Sequence, residues 1–96
     1  MAVKIIITRT IHEGQIEDLT PLIRKLRTLA AQRPGYISGE TLRSVDNPGE
    51  YLVISAWNSV EDWKEWEVCK ERNSIQSQID ALLGESTEYK IYAYRN

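Results

Sequence analysis

Cysteine and histidine are nearly absent from this sequence, whose 96 residues include one of each, Cys69 and His12. One cysteine cannot close an internal disulfide, and one chain of this composition cannot assemble the cysteine and histidine sets that bind zinc. The Walker loop, the GxGxxG turn and the GxSxG elbow are missing as well, which excludes these routes to phosphate binding, dinucleotide binding and serine hydrolysis. The sequence therefore predicts no metal site. His12 lies in a predicted turn, as a solvated residue or as a general base, and Cys69 is expected to be a small buried side chain.

Neither sign of charge dominates, and long apolar runs are also missing. The 12 basic and 14 acidic residues are interspersed and give a net charge of −2, so there is no basic surface for nucleic acid or anionic lipid. No apolar stretch approaches the roughly 20 residues that a membrane-spanning helix needs. With no signal-like leader before Val3 and one unpaired cysteine, we expect a cytoplasmic protein that binds neither nucleic acid nor membrane.

What is present is the pattern of one α+β domain over residues 1–96. Short segments rich in β-branched and aromatic residues predict four strands, Val3–Thr10, Tyr36–Ser44, Tyr51–Trp57 and Thr87–Arg95. The segment Asp46-Asn47-Pro48-Gly49 has the composition of a hairpin turn, which makes the middle two strands antiparallel.

Apolar residues spaced by three and four predict a first helical region that begins near Ile16 and ends at Arg33-Pro34-Gly35. Pro21 falls inside it, lacks an N–H group and crowds the preceding turn. We therefore expect a kink or a restart of the helix there, with Thr20 as its N-cap.

A second helical region begins after Ser59, which is followed by Asp62 in a capping-box-like pattern. We expect Asn73-Ser74 to interrupt it before a last segment that ends at Gly84. The resulting order βαββαβ predicts a ferredoxin-like α+β fold, with a four-stranded antiparallel sheet and the helices on one face.

Three of the four strands carry consecutive apolar residues, in the runs Ile5–Ile7, Tyr51–Ile54 and Ile91–Tyr94. A sheet covered by helices on one side and by water on the other should alternate apolar and polar residues instead. About five side chains of about 100 Å² each on the second face correspond to about 12 kcal/mol of burial. The sequence therefore predicts a homodimer that packs sheet face on sheet face, with burial of the strand ends by loops as the alternative.

The aromatic residues are 3 Trp and 5 Tyr with no Phe, so every ring carries a polar group that needs a partner when buried. Trp63 and Trp66 lie one turn apart on the second helix, where each either fills the core or borders a cavity between helix and sheet. Arg72 and Asn73 fall at the predicted helix break, where they are either solvated or supply a cation and an amide to the mouth of such a cavity.

Three segments give the sequence a resemblance to the antibiotic biosynthesis monooxygenase domain family over nearly its whole length: residues 34–42 (PGYISGETL), 51–57 (YLVISAW) and 59–66 (SVEDWKEW). The resemblance implies a dimeric α/β barrel of ferredoxin-like subunits. It also implies, for some members, oxygenation of quinols, anthrones or related phenols without metal, flavin or haem. Haem-degrading members hold iron through a histidine on the second helix, beside a strand-one asparagine and a helix-two tryptophan. Here Trp66 matches that tryptophan, but residues 57–84 contain no histidine and strand one contains no asparagine.

These considerations predict a cofactor-independent monooxygenase that binds a small aromatic substrate and molecular oxygen. A phenolate supplies the electrons itself, so the protein needs a dry aromatic cavity and a group that stabilises the anion. We assign catalytic roles to Trp66, Arg72 and Asn73 and substrate contacts to Trp57, Trp63 and Tyr92; only Trp57 and Trp66 follow from the family resemblance. The alternatives are a ligand-binding or stress-associated dimer without catalysis and, with two of its three residues missing, a haem-degrading enzyme.

Overall fold

The computed structural model describes residues 1–95, which form β1 (Val3–Thr10), α1 (Ile16–Ala31), β2 (Tyr36–Arg43), β3 (Glu50–Trp57), α2 (Val60–Glu67), α3 (Lys70–Leu83) and β4 (Tyr89–Ala93). A short 3₁₀ turn, Glu13–Gln15, precedes α1. The strands form one antiparallel sheet in the order β2-β3-β1-β4. This is the predicted ferredoxin-like fold, with β2 and β4 ending earlier than expected; residue 96, which the predicted domain included, lies outside the described residues. No helix within residues 1–95 is long and apolar enough to cross a membrane.

The first helix is continuous through Pro21, so the predicted restart with Thr20 as N-cap is wrong. Pro21 removes one backbone hydrogen bond, the one its N–H would donate to the carbonyl of Glu17. Thr20 lies within the helix, where its Oγ1 donates to the carbonyl of Ile16 at 2.7 Å. Leu19 is 1% exposed and packs against α3, and this burial stabilises the helix through the proline.

The second helical region breaks at Val68 and Cys69, five residues before the predicted interruption at Asn73-Ser74. At about 100° per residue, an unbroken helix would place Trp66 and Ile75 about 180° apart, so only one could face the sheet. The extended backbone at Cys69 lets α3 restart with a new phase, and both side chains are buried. The predicted start of α2 is confirmed, because Ser59 Oγ accepts a hydrogen bond from the backbone N–H of Asp62 in the first turn, at 3.1 Å.

The two faces of the sheet differ. On the inner face Val3, Ile5 and Trp57 are 2% exposed or less and pack against α1 and α2. On the outer face one row runs across all the strands, in the order Glu40, Ile54, Ile6 and Lys90. The helices thus cover one face, and the apolar residues of the outer face are left partly exposed within one chain.

Candidate active site

A cavity of about 80 Å³ lies between the inner face of the sheet and the three helices. Residues of β1, β2, β3 and every helix line it: Ile7, Arg9, Ile23, Leu26, Arg27, Ala30, Tyr36, Gly39, Glu40, Thr41, Val53, Ser55, Trp57, Trp63, Trp66, Arg72 and Gln76. Four of the six residues predicted from the sequence, Trp57, Trp63, Trp66 and Arg72, are therefore brought together at one cavity.

Aromatic rings form one side of this cavity in a series of edge-to-face contacts. The ring centroids of Tyr36 and Trp57 are 5.4 Å apart, those of Trp57 and Trp63 are 5.8 Å apart, and those of Trp63 and Tyr89 are 5.2 Å apart. Each such pair stabilises the fold by about 0.5–1.5 kcal/mol beyond its buried area. Trp57 Nε1 donates to Ser55 Oγ at 3.1 Å, whereas Trp63 Nε1 is buried and has no hydrogen-bond partner within residues 1–95. The rings of this wall therefore pack against one another, and Trp63 Nε1 is the polar group among them that lacks a partner in the described residues.

The break between α2 and α3 positions Arg72 at the cavity. Its Nη1 donates to the carbonyl of Glu67, one of the carbonyls left free at the end of α2, and to Asn73 Oδ1, both at 3.1 Å. The guanidinium carbon lies 5.5 Å from the centre of the Trp63 ring, a cation–π contact. Arg72 is 7% exposed, so the chain holds a buried cation against the aromatic wall.

Two further polar residues of the cavity were missed by the sequence prediction, Arg9 on β1 and Gln76 on α3. Arg9 is 4% exposed and Gln76 8%. Arg9 Nε and Gln76 Oε1 are both buried without a hydrogen-bond partner in the described part of the chain. An unpaired buried donor and an unpaired buried acceptor at one cavity are costly to the fold and mark a place where a ligand can supply the partners.

Burial lowers the pKa of both guanidiniums from the usual value for arginine. For Arg9 the negative charge of Asp80 opposes this shift, and the positive charge of Arg72 adds to it. For Arg72 the charges of Glu67 and Asp80 act against burial. The positive charge of Arg72 therefore adds to the cost of burying Arg9, and Asp80 offsets part of the cost for both guanidiniums.

A second cavity, of about 210 Å³, adjoins the first along α1, and Ile11, Ile16 and Tyr51 are among the residues that line it. Five residues line both cavities: Arg9, Ile23, Arg27, Thr41 and Val53. Arg27 Nη2 donates to Thr41 Oγ1 across the gap between α1 and β2. This single side-chain bridge is part of the boundary between the two spaces.

Asn73 and Tyr92 are not brought to the cavity, and their predicted roles there are corrected. Asn73 is exposed on α3, because the helix breaks before it rather than at it, and it reaches the site only by accepting from Arg72. Tyr92 pairs with Lys4 on the outer face and is 53% exposed, because Ile91 takes the inward position of β4. His12 is an exposed turn residue and lines neither of the two cavities.

The lining does not fit haem. None of the residues around the two cavities is a histidine, cysteine or methionine, the side chains that most often bind haem iron. Within residues 1–95 no group of three or more histidine, cysteine, aspartate or glutamate side chains is arranged to hold a metal ion.

The fold and the cavity together define a ferredoxin-like protein with a small aromatic pocket between sheet and helices. A family model described as antibiotic biosynthesis monooxygenase matches residues 2–70. The chain belongs to this family, as its sequence resemblance indicated.

Individual relatives are distant. The 42.8 kDa protein in the whiE locus of Streptomyces coelicolor is 25% identical over 64 residues, which are 67% of this chain and 16% of that protein. The chain spans about a sixth of the length of the curated relatives it matches.

Two solved structures show the same fold. A conserved protein from Methanosarcina mazei Go1 superposes with a TM-score of 0.89 at 15% identity, over 99% of this chain and 94% of that chain. SnoaB, a cofactor-independent oxygenase from Streptomyces nogalater, superposes with a TM-score of 0.85 at 18% identity, over 99% and 94% of the two chains.

Proposed function

We propose that this protein is a cofactor-independent monooxygenase that oxidises an electron-rich phenol, such as a quinol or an anthrone, with molecular oxygen. The observation that supports this proposal is the cavity walled by Trp57, Trp63 and Trp66, with the buried cation of Arg72 beside it. The oxygenase activity of SnoaB, a structure of the same fold, agrees with it.

In this reaction the substrate itself donates the electrons that reduce oxygen. A phenolate transfers one electron to oxygen, and the phenoxyl radical and superoxide combine to form a carbon–oxygen bond in a peroxide anion. This anion takes up the proton that the phenol lost on ionisation and becomes a hydroperoxide. For an anthrone methylene, loss of water from that hydroperoxide gives the quinone carbonyl, so one oxygen atom enters the product and the other leaves as water. In this scheme the aromatic wall excludes water, and Arg72 stabilises the negative charge on the substrate and on superoxide.

Oxygen uptake with a panel of quinols and anthrones tests the proposal. We expect consumption above the autoxidation blank, a fall of at least tenfold in Trp66→Ala and Arg72→Met, and no change in Arg95→Met, which removes an exposed arginine outside the cavity. Trp66→Phe, which keeps an aromatic wall, should retain more activity than Trp66→Ala. Uptake equal to the blank across the panel would contradict an oxygenase.

We also propose that two copies pair through their outer sheet faces. Ile6 and Ile54 are neighbours at the centre of that face, and Leu42 remains 47% exposed on the edge strand β2. Glu40 and Lys90 at opposite edges supply a polar rim around this apolar centre. Pairing these faces by a two-fold axis leaves the helix-side cavity of each subunit free for substrate.

One feature favours ligand binding without turnover as the second candidate. The residues that line the 80 Å³ cavity include one carboxylate, Glu40, and its side chain is exposed and faces outward by register. A buried general base is therefore not among them. Aromatic ligands that quench tryptophan fluorescence but produce no oxygen uptake would support this second candidate and contradict the first.

A further inference from the structure

Arg9 occupies an inward position of β1 that its neighbours fill with apolar side chains. Val3 and Ile5 are buried in the core and Ile7 packs against it, and Arg9 continues the same alternation two residues later. The strand therefore inserts a guanidinium between sheet and helices, 4% exposed and facing both cavities. Its Nε is buried without a hydrogen-bond partner within residues 1–95, and burial of an incompletely paired cation destabilises the folded state.

The charges around Arg9 do not balance. Asp80 is the carboxylate that acts on both guanidiniums, and it is more than 4 Å from either. Glu67, the other carboxylate near Arg72, is paired with Lys64 at 3.6 Å. The lining of the 80 Å³ cavity carries three guanidiniums, those of Arg9, Arg27 and Arg72, and one carboxylate, that of Glu40, so even with Asp80 nearby positive charge is in excess there.

The side chain of Gln76 is oriented by its neighbours. Its Nε2 donates to Asp80 Oδ1 at 2.9 Å and to Thr87 Oγ1 at 2.8 Å, and Thr87 Oγ1 donates to the same carboxylate oxygen at 2.6 Å. Because an ionised carboxylate only accepts, the amide nitrogen must point toward Asp80, which leaves Oε1 as the unpaired atom. Asp80 is thereby occupied by hydrogen bonds, and the cavity retains donors from Arg9 and an acceptor from Gln76.

We propose that Arg9, Arg72 and Gln76 form a site for one oxyanion, so that the cavity takes its aromatic ligand as a monoanion. The shared chemistry is an aryl carboxylate or a phenolate whose charge lies between the two guanidiniums. Gln76 Oε1 accepts from a hydroxyl group next to that anion. This inference rests on the proposed function for the location of the pocket, but it concerns binding and not turnover.

Binding of three single-ring probes to the full chain tests the proposal: benzoate, 4-nitrophenol and the neutral benzamide. Binding is followed by calorimetry and, for 4-nitrophenol, by the absorbance of its phenolate. We expect benzoate or 4-nitrophenolate to bind at least tenfold more tightly than benzamide. Arg9→Met should lose at least tenfold of that affinity without changing the affinity for benzamide, and Arg9→Lys should lose less. Arg95→Met, an exposed arginine outside the cavity, serves as the matched control.

Each outcome of these binding measurements either supports or overturns the proposed oxyanion site. Preference for benzoate alone identifies a carboxylate site, preference for 4-nitrophenolate alone a phenolate site, and both results support an oxyanion site. The proposed oxyanion site is overturned if benzoate and benzamide bind with equal affinity, or if Arg9→Met binds the anions as tightly as the wild type does. If Arg9→Met does not fold, an unchanged affinity in Arg9→Lys together with an unchanged affinity in Arg72→Met overturns it equally. An anion site without oxygen uptake would refute the proposed oxygenase and leave this inference standing.

Discussion

Replacing Arg9 with methionine should stabilise the protein, although Arg9 is one of the most buried polar residues described. Methionine keeps an unbranched apolar stem of similar length and removes the guanidinium whose Nε has no partner within residues 1–95. It also removes the repulsion between Arg9 and Arg72 that contributes to the lowered pKa of Arg9. If Arg9 served only to stabilise the fold, its replacement would lower the free energy of unfolding instead.

The magnitude follows from the unpaired charge. An unsatisfied buried polar group costs about 1–3 kcal/mol, and apolar replacement of buried ionic groups stabilises other proteins by about 1–4 kcal/mol. A small cavity left by the shorter side chain offsets part of this gain, at about 1 kcal/mol for each missing methyl-sized group. We therefore expect Arg9→Met to raise the free energy of unfolding by about 1–2 kcal/mol, which is a rise of roughly 4–16 °C in Tm for a domain of this size.

Urea unfolding followed by tryptophan fluorescence measures this change, with wild type and variant at equal protein concentration because pairing of subunits would make stability depend on concentration. Arg95→Met should leave the free energy of unfolding within about 0.5 kcal/mol of the wild-type value. Adding benzoate should stabilise the wild type more than Arg9→Met, and so reduce the difference between their free energies of unfolding. A loss of stability of more than about 1 kcal/mol in Arg9→Met would refute the reasoning, because it would mean that the guanidinium is already well paired.

Three further predictions concern the wall, the turn before β2 and the outer face. Trp63→Ala should lower the free energy of unfolding by about 3–5 kcal/mol, and Trp63→Phe by clearly less, since Phe keeps a ring and lacks the unpaired N–H; equal losses in urea unfolding would contradict this. Gly35→Ala should lower the free energy of unfolding more than Gly84→Ala in the same assay, because both glycines have positive φ but, of the two, it is at Gly35 that a Cβ would collide with another side chain, the carboxylate of Asp62. Ile54→Lys should convert a dimer to a monomer in sedimentation experiments, whereas Val45→Lys, at a site that is 94% exposed, should not; a monomeric wild type would contradict the pairing.

Most of the fold was predictable because its strands and helix starts depend on local signals. Ser59 caps α2 as expected, and the order of elements follows from residues that are neighbours in sequence. The break between α2 and α3 was misplaced because Asn73-Ser74 is a local signal for a turn, whereas the true break satisfies burial of Trp66 and Ile75 on one sheet. Counting the 100° steps between those two side chains shows that the helix must break between them, but a break at Asn73-Ser74 meets the same condition.

The tryptophans of the site were predicted from the sequence. Tyr92 was misplaced and Arg9 was missed, because the sequence does not show which face of its strand each residue occupies. Tyr92 belongs to an apolar run that hides its direction, and only pairing with β1 shows that it faces outward. Arg9 has the same strand parity as Ile5 and Ile7, but Ile6 between them is apolar as well, so the sequence alone does not show which face is inward. The contribution of Gln76 depends on a hydrogen bond to Asp80, and no local pattern predicts that orientation.

The two faces of the sheet explain how one small domain can support both an assembly and a binding site. Along β1 the outward residue Ile6 lies in the apolar row of the outer face, while the inward residues Ile7 and Arg9 line the helix-side cavity. One residue of shift in the register of β1 would exchange these roles and place the guanidinium on the outer face. The register with β3, in which Ile6 pairs with Ile54, therefore sets the charge of the cavity and the apolar character of the outer face at once. A change that disturbs this register should damage ligand binding and pairing of subunits together, whereas Arg9→Met should affect only the first.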